Sequence, residues 1–211
     1  MPDEIKQLIL VAALILVIFL IVLLIVKLKS KNKYYVKNPK NKQLDKKIRK
    51  YALYRDFLFL SDVFIPVNNE KAIIIDNIIF GNKYIYVISQ KHWEGLLKGF
   101  EYDTKWMITY KNQTNYVDNP LISNRYKVHV LSNFLGEKEE ENIINIVAIN
   151  DHTNFDDFNV QSLESVVKMN KLFKTIDEYE RNSSLNDIKE EEIERIANLI
   201  YEESTRIKKI K

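Results

Sequence analysis

The alternation of apolar and polar positions changes abruptly at residue 26. Residues 8–26, LILVAALILVIFLIVLLIV, contain only Leu, Ile, Val, Ala and Phe. At about 1.5 Å per residue, this run matches a hydrocarbon core about 30 Å thick and predicts one transmembrane helix. A cleavable signal peptide would have a shorter apolar region preceded by positive charge and followed by small residues. This run instead follows MPDEIKQ and leads into KLKSKNK, so it reads as a retained anchor. It has no Ser, Thr, Gly or charge, hence no polar face for a pore or a transport path.

Beyond the anchor, residues 27–43 form a lysine-rich linker with Pro39 and no apolar period. The pattern then predicts a helix over 44–60, a short strand DVFIP, and a hairpin over 71–91. FEYDTKWMITY and TNYVD read as a further strand pair with KNQ as the turn. Residues 119–136 have Asn119 as N-cap, Pro120 at the first helical position and Gly136 past the last turn. Leu121, Asn124, Val128, Leu131 and Leu135 share one face of that helix, which should cover a sheet. NIINIVAI, 142–149, has the length and continuous apolarity of a buried strand. Helices are expected over 163–181 and 185–207, the second with Ile193, Ile196, Ala197 and Ile200 on one stripe. The resulting plan is a short extracytoplasmic N-terminus (1–7), the span (8–26), the linker (27–43), an α/β domain (44–207) and a basic tail (208–211).

Charge sets the orientation. Lys27, Lys29, Lys31, Lys33, Lys37, Lys40 and Lys42 follow the span, whereas only Lys6 precedes it. The positive-inside rule therefore predicts a single-pass protein of the cell membrane with its C-terminal domain in the cytoplasm. The net charge of +3 divides into +10 over residues 27–50, −1 over 1–26 and −6 over 51–211. The basic segment 27–50 suits anionic headgroups, and the acidic domain offers no general surface for duplex nucleic acid. The absence of Cys excludes disulfides, thiolate zinc and thiol catalysis. His92, His129 and His152 form no i, i+4 pair of the zincin type.

Candidate chemistry lies in the hairpin, DNIIFGNKYIYVISQK. With Gly81-Asn82 as a two-residue turn, Phe80 faces Lys83, Asp76 lies opposite Val87, and Asp76, Val87, Ser89 and Lys91 project on one face. A carboxylate and an ammonium meeting there could hold a divalent cation and stabilise an attacked phosphate. On the residues alone, a polar strand-end Asp and a solvated Lys are the simpler account. Trp93 and Trp106 read as packing residues, His92 as a surface histidine and Asn124 as a hydrogen-bonded structural residue.

The order Asp76, then Val87-Ile88-Ser89-Gln90-Lys91-His92-Trp93-Glu94-Gly95, then Asn119-Pro120-Leu121-Ile122-Ser123-Asn124 resembles the nuclease-related domain (NERD) family. That family is a branch of the restriction-endonuclease-like PD-(D/E)xK fold, and the resemblance spans about residues 45–205. It implies a mixed β-sheet flanked by helices, with Asp76 as metal ligand, Lys91 as charge-stabilising residue, and Mg²⁺ or Mn²⁺ as cofactor in an active member. Three features depart from the pattern: Ser89 stands where the second metal-binding carboxylate is expected, Ser123 replaces the glutamine at the helix start, and there is no Gly-Glu pair near the beginning of the domain. A lone Asp76 is a poor ligand set, so the site is expected to be vestigial and the protein to bind a protein or nucleic acid partner near the membrane. The alternatives are a metal-dependent nuclease with a displaced carboxylate, Glu94 or Glu101, and a membrane scaffold that oligomerises through its C-terminal helices.

Overall fold

The computed structural model describes residues 17, 19–21, 42–68, 70–136, 142–155 and 165–210. The chain divides into two compact units, Met1–Lys37 and Asn38–Lys211. Most of the expected span, and the linker up to residue 41, lie outside the described residues. Val17, Phe19, Leu20 and Ile21 are helical, with their apolar side chains about half exposed. Among the described residues, no helix is long and apolar enough to cross a membrane.

The second unit begins with α1 (Lys42–Tyr54), which ends before Asp56, a residue in the left-handed region at φ 54°. The helix therefore stops short of residue 60, and the residues that follow form β1 (Leu58–Pro66). Next come β2 (Ala72–Phe80), β3 (Ile85–Lys91), β4 (Gly95–Lys98), β5 (Lys105–Tyr110) and β6 (Gln113–Asp118). Then follow α2 (Pro120–Leu135), β7 (Ile143–Ile149), β8 (Thr153–Phe155), β9 (Ser165–Lys168), α3 (Leu172–Asn182) and α4 (Glu190–Ile210).

Two mixed sheets result. The larger has the order β1-β2-β3-β7-β9, antiparallel from β1 to β3 and parallel from β3 to β9. The smaller has the order β6-β5-β4-β8, with β4 and β8 parallel. The expected mixed α/β class with flanking helices is present, but the second sheet was not foreseen. Its strands β4 and β8 are too short to show a period. Residues 165–168, within the expected helix 163–181, instead form β9: Val166 and Val167 add to the parallel edge of β7, where β-branched side chains suit an extended backbone.

The larger sheet is covered on both faces. Ile78, Phe80, Ile85 and Val87 pack with Val128 and Leu131 of α2 and with Ile196, Ala197 and Ile200 of α4. Ile79, Tyr86, Ile88 and Ile146 pack with Leu44, Ile48 and Ala52 of α1 and with Leu172 and Ile176 of α3. β7 lies between β3 and β9 and is buried along its whole length, as its continuous apolar run requires. The apolar stripe of α4, Ile196, Ala197 and Ile200, is thus packed within the domain. The same helix extends through Lys208 and Lys209, so these basic residues form its last turn, where cations suit the helix dipole.

The hairpin register differs from expectation. Phe80 pairs with Ile85 and Asn77 with Ile88, leaving a four-residue loop closed by Gly81 N–H donating to Tyr84 O at 2.9 Å. The wider loop is held from α3: Glu180 accepts from the Lys83 amide at 3.1 Å and from the Tyr86 hydroxyl at 2.7 Å. A side chain at Gly81 would collide with that carboxyl group. The loop is longer by two residues, so the pairing shifts while the facing of every side chain is kept.

Candidate active site

Three elements bring the candidate residues together: β2 with Asp76, β3 with Ser89 and Lys91, and α2 with Asn124 and Lys127. Continuing the observed register by one step sets Asp76 beside Ser89, two positions from the expected Val87. Asp76, Ser89 and Lys91 remain on one face, as their alternation requires.

α2 is placed by its cap. Asn119 Oδ1 accepts from the Leu121 amide at 2.9 Å, while Asn119 Nδ2 donates to the carbonyls of Glu101 and Asp103, each at 2.8 Å. Pro120 occupies the first turn, where its missing N–H costs nothing, and Gly136 closes the helix at φ 100°. One buried side chain then locks the helix to the sheet. Asn124 Oδ1 accepts from Ser89 Oγ at 2.7 Å, and its Nδ2 donates to Val87 O at 3.1 Å and Asn145 Oδ1 at 2.5 Å. Both Asn124 and Ser89 are buried, so the serine hydroxyl is committed to structure. Ser123 points elsewhere, donating to Pro120 O at 3.0 Å from an exposed position.

Lys127 lies three residues after Asn124, on the same helical face. Its Nζ is 3.7 Å from Asp76 Oδ2 and 3.4 Å from Ser89 Oγ. The Lys127 side chain is 20% exposed and that of Asp76 34%, so the pair is partly screened and contributes about 1 kcal/mol at most. Burial, reinforced by the Lys127 ammonium, holds Lys91 below the ordinary lysine range, against the opposing pull of Asp76 and Asp118. Lys91 is therefore half-buried in a charged cluster and not a solvated strand end.

The residues after Lys91 are structural. Asn150 N–H donates to Lys91 O at 3.0 Å, Asn150 Oδ1 accepts from the Trp93 amide at 2.7 Å, and Thr153 Oγ1 donates to Trp93 O at 2.6 Å. These bonds strap the end of β3 to the β7–β8 turn and fix where Lys91 emerges. Trp93 packs edge-to-face on Trp106 at 6.3 Å, as the packing reading required. Gly95 sits at φ 113° against the Thr109 backbone, a place no other residue can take without strain. His92 departs from its surface assignment: it is half-buried, its Nε2 is enclosed, and burial lowers its pKa.

The displaced-carboxylate candidates lie on the segment around β4, Glu94 just before that strand and Glu101 between it and β5. Glu101 is buried and paired with Arg125 at 2.9 Å, and Glu94 is exposed. Among the described residues, no group of three or more His, Asp or Glu side chains could hold a metal ion. Sequence reasoning missed Lys127 and Asp118. Helical spacing from Asn124 pointed to Lys127, but nothing local marked Asp118, at the far end of β6.

No curated protein and no solved structure matches the chain. A family match does exist: the nuclease-related domain, NERD, matches residues 26–150, more than half of the chain. The matched segment contains Asp76, Ser89, Lys91, Trp93, Gly95, Asn119, Pro120 and Asn124, and ends before β8, β9, α3 and α4, short of the expected residue 205. The hairpin, the strapped Trp93 turn and the Asn-capped helix are the parts on which the charged cluster is built, and by this match the chain belongs to the NERD family.

Proposed function

We propose that this NERD protein is anchored in the cell membrane by residues 8–26, holds its domain on the cytoplasmic side, and binds a protein or nucleic acid partner without cutting a phosphodiester. The observation that carries the reading is the donor set around Asp76. Divalent Mg²⁺ or Mn²⁺ needs one or two carboxylates with free oxygens and room for water and phosphate. Here a neutral Ser89 stands beside Asp76 where a second carboxylate would be needed, the Ser89 hydroxyl is donated to Asn124, and an ammonium already lies against both. These residues do not fit the metal, and no catalytic step runs through it. Lys91 supplies no oxygen that could complete a ligand set for the ion.

The test is cleavage of single- and double-stranded DNA and RNA by the full chain with Mg²⁺ or Mn²⁺. No product is expected above an Asp76→Ala control; turnover lost in both Asp76→Ala and Lys91→Ala would establish the enzyme with a displaced carboxylate. The membrane side is checked by protease added outside intact cells, which should leave residues 45–211 whole. Binding of duplex DNA should be weak at physiological salt, and any binding should vanish when the seven lysines of residues 27–42 are changed to Gln.

A further inference from the structure

We infer that Lys127 is a tethered cation in the place of the divalent metal, held between Asp76 and the Ser89 position. The inference rests on reading this face as the family's metal centre and goes further by naming what replaces the ion. Its ground is geometric: the ammonium reaches the Asp76 carboxylate at 3.7 Å and the Ser89 hydroxyl at 3.4 Å, the two side chains a bridging cation would touch. It is not a surface lysine resting there by chance. One turn earlier, Asn124 fastens α2 to β3 through Ser89 itself, so the helix face that presents Lys127 is fixed to the strand that presents its partner.

Charge gives a second, independent ground. Two carboxylates and a divalent ion sum to zero, and so do one carboxylate, one neutral serine and one ammonium. The change to Ser89 removes one negative charge and Lys127 in place of the metal removes one positive charge, so the centre stays balanced without an ion. A metal entering beside Asp76 would have to displace Lys127 and would still meet Lys91. The cluster is thus closed to cations by its own side chains, while the ammonium keeps a third N–H that neither Asp76 nor Ser89 uses.

The test is Mn²⁺ binding to the full chain, followed by the loss of the free-ion electron paramagnetic signal, for wild type, Ser89→Asp and Ser89→Asp/Lys127→Met. Restoring the carboxylate alone should help little, because Lys127 pairs with it; removing Lys127 as well should tighten binding at least tenfold over Ser89→Asp. Equal affinity of the two variants overturns the inference, and so does a folded double variant that binds no Mn²⁺. Should the double variant fail to fold, a cycle decides: Asp76→Asn and Lys127→Met should change the unfolding equilibrium constant non-multiplicatively by at least threefold, and purely multiplicative effects overturn the assignment. Cleavage by wild type would instead sink the inactive reading, a separate result from any of these.

Discussion

Asn124 is the residue on which the geometry of the charged cluster depends most. Changing it to Ala removes the acceptor for Ser89 Oγ and the donor to Asn145 Oδ1, both in the buried interior. Losing a buried hydrogen bond of this kind costs about 1–3 kcal/mol, so the two together place the loss near 3 kcal/mol. Trp93 and Trp106 are both buried, which makes intrinsic fluorescence a direct reporter of the fold. With a urea slope of about 2 kcal/mol/M, the unfolding midpoint of Asn124→Ala should fall by about 1.5 M. Asn124→Asp keeps the acceptor for Ser89 but turns an oxygen toward Asn145 Oδ1, and should cost at least as much. Ser123→Ala, one residue earlier but exposed, should stay within about 0.5 kcal/mol. A midpoint for Asn124→Ala within about 0.3 M of wild type would refute the view that this side chain holds α2 to β3.

Asn119→Ala loses both the helix cap and the bonds to the Glu101 and Asp103 carbonyls, so about 2 kcal/mol or more should disappear from the same urea titration. Gly95→Ala forces a Cβ into the Thr109 backbone at φ 113° and should destabilise by about 2 kcal/mol; a neutral result in thermal unfolding would contradict the close approach. Burial raises the Glu180 pKa, against the lowering effect of its hydrogen bonds from Tyr86, Lys83 and Asn82. A raised folded-state value means that this group stabilises the fold when protonated, fully so below the ordinary carboxylate range, and that the contribution is lost as pH rises through the folded value. The stability of wild type relative to Glu180→Gln should therefore decline as pH climbs from about 4 toward neutrality. A difference that stays flat over that range would show that the carboxyl is not strained by burial.

Several features were readable from neighbours in the chain. The limits of α2 are written in Asn119, Pro120 and Gly136, because capping and the left-handed closing turn are satisfied within a few residues. The burial of β7 follows from its unbroken apolar run, and the common face of Asp76, Ser89 and Lys91 follows from the two-residue period of a strand, which survives any even change in loop length. What lay beyond reach depends on groups distant in sequence. The hairpin loop is four residues long because Glu180, from a helix nearly a hundred residues later, binds the Lys83 amide and fills the space beneath Gly81. Val166 and Val167 form a strand because β7 offers them a parallel edge; by themselves they carry no preference strong enough to override a helical reading. Lys127 became part of the site only when the Asn124 bond to Ser89 docked its helix face against the hairpin. Helical spacing puts Asn124 and Lys127 on one face, but which strand that face meets is decided by packing across the sheet.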